Sequence, residues 1–244
     1  MLKKVLFNWS SGKDSSFALY KLLQNKEYKV EYLFTSVSEK YNRITMHGIR
    51  KELLDLQVKS IGIPVKIVYL PETTTMESYN LVMKNALTPI VNEGITHSAF
   101  GDIFLEDLKK YREDKLDEVG LKGIFPLWKI DTSKLIHEFI NLGFKTIVTC
   151  VNSEYLDQSF VGRIIDEKFI NDLPKNVDVC GENGEFHTFT FDGPIFKTPV
   201  EFEIGEVVYR EYDKPKSNSN EMCNANENSP TYGFWYVDLL LKTN

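Results

Sequence analysis

The sequence is poor in the residues that build disulfide frameworks and metal sites. Its 244 residues include 3 cysteines and 4 histidines, and Cys150, Cys180 and Cys223 are far apart in the chain. It contains no C-x-x-C pair and no H-E-x-x-H helix, so we predict neither paired cysteines nor a zinc site. Sparse, unpaired cysteines are typical of a reducing compartment, and we expect a cytoplasmic protein.

Basic residues and long apolar runs are also scarce. The formal net charge is -6 at pH 7 and the pI is about 5.4. Binding along nucleic acid relies on Lys and Arg to neutralise phosphates, so this charge argues against a nucleic-acid partner. No apolar run approaches the roughly 20 residues that cross a bilayer, and the start MLKKVLFNW lacks the features of a signal peptide. We therefore expect no membrane association and a small molecule or a protein as substrate.

Short apolar runs alternate with amphipathic helical patterns over residues 1–150. The runs KKVLFNW and KVEYLFTSVS fit buried strands, and DSSFALYKLLQ between them fits a helix. This alternation predicts right-handed crossovers and a mostly parallel sheet with helices on both faces. We predict a doubly wound α/β domain that ends with the strand TIVTCV.

The pattern changes after residue 150 and predicts a smaller α+β domain over residues 151–244. Two stretches, GEFHTFTFDGPIF and VEFEIGEVVYREY, alternate with a period of two, as strands do. The segment around residues 213–231 is rich in Asn and Ser and predicts a mobile loop. The apolar run YGFWYVDLLL after it predicts a last strand that pairs with GEVVYREY.

The stretch FNWSSGKDSS joins the first predicted strand to the first predicted helix. Unpaired amides and the helix dipole make such a turn an anion site. It is not a P-loop, because Phe7 stands five residues before Gly12 and Asp14 follows Lys13. The alternative is an ordinary helix start capped by Asp or Ser. The carboxyl end of a strand in an α/β sheet is where ligands bind, which favours the anion site.

Two further polar stretches follow predicted strands at the same edge. MHGIR places His47 and Arg50 there, where both could face a ligand at the turn or lie in solvent at a helix start. FGDIFLEDLKKYRE supplies Gly101 and Asp102, and we interpret most of the charges from 106 to 113 as a solvated helix face, with Glu106 and Arg112 as exceptions.

The stretch CGENGEFHTF combines a flexible turn with polar chemistry just before an alternating strand. Its glycines allow unusual backbone conformations, and two carboxylates, an amide and an imidazole follow one another: Glu182, Asn183, Glu185 and His187. A plain hairpin does not need these groups. The alternative is a turn whose role is purely architectural.

The hexapeptide SSGKDS resembles the S-G-G-x-D-S signature of the PP-loop ATP pyrophosphatases. Together with the stretches quoted above, PLW and GFKTIVTCV, it makes residues 3–210 similar to the diphthine–ammonia ligase family, in particular its bacterial-type members. The resemblance implies ATP and Mg²⁺ as cofactors, adenylation of a carboxylate with release of pyrophosphate, and amination by ammonia with release of AMP. Archaeal and eukaryotic members act on diphthine in elongation factor 2. Bacteria are not expected to make diphthamide, so the acceptor stays open.

The resemblance also implies roles for individual residues. In the turn, Lys13 would offset charge on the leaving pyrophosphate, Asp14 would lie close to the magnesium ion, and hydrogen bonds to the phosphates would come from Ser10, Ser11, Gly12 and Ser15. Ser11 replaces a family glycine, which costs strain if the position needs a positive φ.

On the substrate side, the resemblance implies the E-N-G-E-F-H motif, with Glu182 and Asn183 as binding residues. We expect Gly101 and Asp102 beside them, and Glu185 or His187 as the general base toward the amine. Two other hypotheses stay open: a PP-loop enzyme that modifies tRNA, and an ATP-binding sensor without catalysis. The oligomeric state is open as well, with a homodimer as one option.

Overall fold

A computed structural model of the protein describes residues 2–45, 48–73, 75–213 and 231–242. Its strands form two separate sheets. The larger sheet is mostly parallel, and the smaller sheet in the second part of the chain is antiparallel. The predicted fold class, a layered α/β sheet with a smaller α+β region after it, is confirmed.

The larger sheet is built by the first half of the chain. Its strands are β1 (Lys3–Asn8), β2 (Tyr28–Ser38), β3 (Arg43–Ile44), β4 (Val65–Leu70), β5 (His97–Ala99) and β6 (Lys122–Ile124). Five of them run parallel in the order β4-β2-β1-β5-β6, and the short β3 pairs antiparallel with the end of β2. The carboxyl ends of the central strands β1 and β5 are therefore neighbours.

Helices cover both faces of this sheet. They are α1 (Lys13–Gln24), α2 (Lys51–Ile61), α3 (Met76–Asn92), α4 (Glu106–Asp117) and α5 (Thr132–Asn141). Successive residues of a strand point to opposite faces, so Val5 and Phe7 join the core under α1, α2 and α5, whereas Leu6 joins the core under α3 and α4. Helices α1, α2 and α5 therefore cover one face of the sheet, and helices α3 and α4 cover the other, as in a doubly wound sheet.

A local sequence signal explains where helix α2 ends. The predicted terminating glycine is confirmed: Gly62 follows α2 with φ +80°, a left-handed conformation that suits glycine. Helix α3 continues through Pro89 and ends at Asn92. It is 17 residues long, and no helix in the described part of the chain is long and apolar enough to cross a membrane.

The smaller sheet has four antiparallel strands in the order β8-β7-β10-β9. They are β7 (Lys145–Asn152), β8 (Phe186–Asp192), β9 (Phe202–Asp213) and β10 (Thr231–Leu241), with a 3₁₀ turn at Gln158–Phe160 and the short helix α6 (Glu167–Asp172) between β7 and β8. The predicted pairing of the last strand with GEVVYREY is confirmed, because β10 pairs with β9 along almost its whole length. Nearly all of the predicted mobile loop, residues 214–230, lies outside the described residues.

The position of β7 differs from the prediction. We expected TIVTCV to be the last strand of the parallel sheet, but β7 pairs antiparallel with β8 and β10. Residues 146–151 are all buried, and an uninterrupted apolar run identifies a strand covered on both faces without saying which sheet it enters. A domain boundary near residue 150 stays a prediction.

A charge cluster ties the two sheets together. Asp238 on β10 accepts hydrogen bonds from Arg43 Nη1 at 2.8 Å and from Arg50 Nη2 at 2.6 Å. Partial burial of this carboxyl opposes its ionisation, but the two arginines outweigh that effect and lower the pKa of Asp238 to about 2. Arg43 Nη1 also donates to the carbonyl oxygen of Gly48 at 2.7 Å. The cluster therefore fixes the two ends of the loop between β3 and α2 to the last strand.

Candidate functional site

The turn SSGKDS lies where β1 ends and α1 begins, as predicted. Gly12 is the N-cap residue of α1, so the N-cap position supplies no side-chain hydrogen bond to the helix. Two serine hydroxyls bond locally: Ser10 Oγ donates to Ser15 Oγ at 3.0 Å, and Ser16 Oγ donates to the Gly12 carbonyl at 2.9 Å. The alternative of an ordinary helix start with an Asp or Ser cap therefore does not describe this turn.

Ser11 carries the conformational strain of the turn. Its φ is +70°, in the left-handed region that non-glycine residues seldom adopt. The residue is fully buried, and its hydroxyl oxygen makes no hydrogen bond. A buried polar atom without a partner costs free energy unless a ligand satisfies it. A phosphate oxygen held in the turn would supply such a partner.

The backbone of the turn is held in shape by groups from distant parts of the chain. The Ser11 carbonyl accepts hydrogen bonds from the Thr190 amide at 2.9 Å and from Gln57 Nε2 at 3.2 Å. The Lys13 amide donates to Thr188 Oγ1 at 3.0 Å. The supporting residues belong to α2 and β8, and the sequence analysis missed all of them. They are ordinary polar residues in regular elements, and no local pattern distinguishes them.

We expect Ser11→Gly to stabilise the protein. Glycine adopts φ +70° without the cost of roughly 1 kcal/mol that other residues carry there, and the variant also removes a buried hydroxyl that lacks a partner. The expected gain in the free energy of unfolding is about 1 kcal/mol, less any entropy that glycine adds to the unfolded chain. Urea unfolding measures it. The control is Ser10→Gly, which relieves no positive φ and should destabilise; equal losses in both variants would contradict the strain argument.

Lys13 is a buried cation at the start of α1. It is 3% exposed, and its Nζ lies 2.7 Å from both carboxylate oxygens of Asp14. Burial works to lower the pKa of Lys13, but the charges of Asp14 and Glu182 oppose burial, and the pKa is raised above its ordinary value. The ammonium group therefore stays charged at neutral pH, where it can attract an anion.

The end of β5 packs directly against this turn. A Cβ at Gly101 would lie 2.9 Å from the backbone carbon of Asp14 and from the Ser15 nitrogen, so only glycine fits. Asp102 follows, and its Oδ2 forms an ion pair with Arg112 Nε at 2.7 Å. Arg112 Nη2 also donates a hydrogen bond to Asp102 Oδ1 at 3.2 Å, so the two side chains pair through two contacts. Burial raises the pKa of Asp102 against the opposing charge of Arg112. The structure thus brings the predicted residues Gly101 and Asp102 to the turn.

Glu185 holds together the loop that precedes β8. The residue is 1% exposed, and its carboxylate accepts three hydrogen bonds: from the Asp178 amide at 2.9 Å, from the Asn183 amide at 2.9 Å and from Asn183 Nδ2 at 3.1 Å. Asp178 Oδ1 accepts from the amides of Cys180 and Glu182 in the same loop. These contacts favour a positioning role for Glu185, which we had predicted as a candidate base.

Glu182 is the carboxylate that this loop directs toward the turn. Its Oε1 accepts a hydrogen bond from the Ile103 amide at 3.0 Å, next to Asp102. Burial raises the pKa of Glu182 to about 7, and the negative charge of Asp14 adds to the rise, whereas the Ile103 amide and Lys13 oppose it. A carboxyl group with this pKa exchanges protons readily at neutral pH.

His187 and Asn183 have different surroundings. His187 lies on β8 opposite Cys150 of β7, and burial lowers the pKa of His187 to about 4, with a further contribution from the charge of Lys13. Its ring is therefore neutral at pH 7. The Asn183 side chain is exposed on the loop, and one of its hydrogen bonds goes to Glu185.

Some predicted residues are not part of this arrangement. His47 lies outside the described residues, so its contact with ATP stays a prediction. Arg50, which we had considered for the same role, instead bonds to Asp238. Glu106, the exception in the predicted solvated helix face, is largely exposed and pairs with Lys129.

The arrangement at the turn suits an anion. The buried ammonium of Lys13, the unpartnered hydroxyl of Ser11 and the start of α1 converge on one turn. Within the described ranges, no group of three His, Cys, Asp or Glu side chains is placed to hold a metal ion. The role of Asp14 toward magnesium stays a prediction.

The fold and the turn after β1 define an α/β protein of the PP-loop class. Two family models match the chain: the diphthamide synthase N-terminal domain over residues 3–123 and the diphthamide synthase C-terminal domain over residues 131–223. The two matches follow one another and together span most of the sequence. The chain belongs to the diphthamide synthase family, which confirms the resemblance seen in the motifs.

Curated relatives agree with this assignment. The diphthine–ammonia ligases of Bos taurus and Homo sapiens are each 32% identical to the chain over 127 residues, which cover 50% of this chain and 46% of the relative. The chain thus spans about half the length of these relatives. The diphthine–ammonia ligase of Danio rerio is 23% identical over 228 residues, which cover 84% of this chain and 88% of that protein.

Proposed function

We propose that this protein is an ATP-dependent amide ligase that adenylates a carboxylate and then joins it to ammonia. The observation that carries the proposal is the turn after β1, where a buried, charged Lys13 and the unpartnered Ser11 hydroxyl meet the start of α1. Such a turn suits the phosphates of a nucleotide. The name of the relatives, diphthine–ammonia ligase, supports the reaction class.

In the first step, an oxygen of the acceptor carboxylate attacks the α-phosphorus of ATP. The bond between that phosphorus and the oxygen of the β-phosphate breaks, and pyrophosphate leaves. Lys13 stabilises the negative charge that grows on the leaving group, and the hydroxyls of Ser10, Ser11 and Ser15 with the amides of the turn orient the phosphates. Asp14 would lie beside the magnesium ion that accompanies ATP, and that ion would supply positive charge to offset the repulsion between Asp14 and the phosphates.

In the second step, ammonia attacks the activated carbonyl carbon, the carbon–nitrogen bond forms, and AMP leaves. The nitrogen must lose a proton, and we assign its uptake to Glu182. The pKa of Glu182, about 7, suits this task. Glu185 is already engaged by three hydrogen bonds, and His187, with a pKa of about 4, is a weak base. Asp102 and Asn183 would face the acceptor.

Diphthine, the substrate named in the relatives, or a carboxylate of similar build is the proposed acceptor. We propose the cytoplasm as the place of the reaction. The test is to incubate the protein with ATP, Mg²⁺, ammonium and a panel of carboxylates, and to measure nucleotides and pyrophosphate. We expect AMP and pyrophosphate in equal amounts, only when both carboxylate and ammonium are present. ADP as the product would overturn the proposal, and so would AMP formed only with tRNA or tight ATP binding without turnover.

A further inference from the structure

A small cavity, here called the α1–α5 cavity, lies between α1, α5 and the loop before β8. Its polar lining comes from Lys13, Asp14 and Cys180. The rest of the lining is apolar and is formed by Phe17, Leu127, Leu135, Ile136 and Phe139. The space open to the centre of a water-sized molecule is about 10 Å³, which is room for about one such molecule. No role described so far uses this cavity.

The surroundings of the α1–α5 cavity favour a neutral guest over an ion. Moving an ion out of water is costly unless an opposite charge compensates it. The two charges in the lining are already paired with each other, because Lys13 Nζ lies 2.7 Å from both carboxylate oxygens of Asp14. All the other lining side chains are uncharged. The cavity therefore suits one small, neutral molecule.

The hydrogen-bonding side chains of the lining match ammonia. Burial raises the pKa of the Cys180 thiol, and Sγ donates its proton to the Thr132 carbonyl at 3.4 Å, so toward a guest the sulfur can only accept. The Asp14 carboxylate accepts as well, and Lys13 has a third proton beyond the two that its contacts with Asp14 use. One donor and two acceptors pair with the single lone pair and the N–H groups of ammonia. Water, with two lone pairs, would keep one of them unpaired.

The α1–α5 cavity lies close to the groups that take part in the proposed reaction. Lys13 faces the leaving pyrophosphate in that scheme, and Cys180 precedes the assigned base, Glu182, by two residues. The charges of Lys13 and Asp14 both act on the Glu182 carboxyl group. Lys13 and Cys180 are each 3% exposed. A guest at the polar end of the cavity is therefore shielded from solvent and near the base.

We propose that the α1–α5 cavity is the ammonia site, in which Lys13, Asp14 and Cys180 hold one neutral ammonia molecule before it attacks the activated carboxylate. The inference rests on the proposed ligase function for the fate of the ammonia, but binding in the cavity can be measured without turnover. A methyl group is larger than a water molecule, so the cavity also excludes methylamine.

The binding test uses the δ1 methyl group of Ile136 as a reporter in the cavity wall. The full chain is labelled with ¹³C at the isoleucine δ1 methyls, the Ile136 signal is assigned from its loss in Ile136→Val, and ammonium chloride is added at pH 8.5 without nucleotide. We expect a saturable shift of the Ile136 signal and no shift with tetramethylammonium chloride at the same ionic strength. Ile90, buried on the other face of the sheet, is the control reporter and should not move. Absence of the Ile136 shift, or an equal shift with tetramethylammonium, would overturn the proposal.

A kinetic test enlarges the cavity and asks whether the nitrogen donor changes. Leu135→Ala removes three carbons from the wall, and we expect kcat/KM for methylamine, relative to that for ammonia, to rise at least tenfold. Leu135→Val removes one carbon, keeps the test available if the alanine variant does not fold, and should raise the same ratio less. Leu22→Ala, at a buried position of α1 outside the lining, is the matched control and should leave the ratio within twofold. An unchanged ratio in a folded Leu135 variant would count against the ammonia site.

The two tests separate this proposal from the ligase proposal. If ammonium shifts Ile136 but no carboxylate yields AMP, the cavity binds ammonia and the ligase proposal fails. If AMP forms with ammonium while Ile136 does not shift and the Leu135 variants keep the donor ratio, the ligase proposal stands and the ammonia site is refuted.

Discussion

Replacing Lys13 with methionine should lower kcat/KM for AMP formation by roughly a hundredfold or more. Methionine keeps most of the volume of the buried side chain but removes the charge that lies 2.7 Å from Asp14. Without this ammonium group, nothing on the side chain offsets the charge of the leaving pyrophosphate, and the Asp14 carboxylate repels the phosphates. The rate of AMP release and the thermal midpoint of unfolding are measured together.

Lys21→Met is the matched control for this prediction. Lys21 lies on the same helix and forms an ion pair with Glu138 at the surface, so its loss should leave the rate within a factor of two. A surface ion pair contributes little to stability. The proposed role of Lys13 would be refuted by a Lys13→Met enzyme that is folded and works within threefold of the unchanged protein.

Glu185→Gln should cost about 2–4 kcal/mol of the free energy of unfolding. The buried carboxylate accepts from two backbone amides and from Asn183 Nδ2. Glutamine keeps one acceptor oxygen, and its NH₂ group then faces a donor that it cannot satisfy. The loop from 178 to 185 loses its anchor, so AMP formation should fall as well. Urea unfolding and initial rates are the measurements.

Glu182→Gln, in the same loop, should raise the free energy of unfolding, whereas Glu185→Gln lowers it. Because the folded protein raises the pKa of Glu182 from about 4.5 to about 7, the folded state holds its proton more tightly than the unfolded chain does. Its contribution to stability is present below pH 4.5 and is lost as the pH rises through 7. The glutamine variant should thus gain stability over the unchanged protein as the pH rises from 4.5 to 7, and it should lose activity. Equal destabilisation by both substitutions at pH 8 would contradict these separate roles.

The layered fold and the position of the turn could be predicted because short-range patterns specify them. A period of two or of 3.6 identifies strands and helices, and the parallel order follows from their alternation. The turn after β1 and the stretch before β8 stand out because Gly, Ser, Lys and Asp or Glu cluster there. Even the strain at Ser11 could be anticipated, since a family glycine at that position indicates a positive φ, which the structure has at +70°.

Contacts between distant residues could not be predicted in this way. TIVTCV has the composition of a buried strand, but its neighbours are set by packing, and it joined the antiparallel sheet. Glu185 and Glu182 belong to one motif and differ only in which way each side chain points. Arg50 donates a hydrogen bond to the Asp238 carboxylate on β10, which is 188 residues away in sequence. Spacing along the chain contains no information about such partners.

The turn after β1 depends on both parts of the chain. The amide of Lys13 bonds to Thr188, 175 residues further on, and the carbonyl of Ser11 accepts from the Thr190 amide. A fragment that stops at residue 123, where the first family match ends, would include the whole SSGKDS signature and still lack the strand that keeps it in shape. Truncated forms that retain the signature should therefore not be counted as competent nucleotide binders on sequence grounds alone.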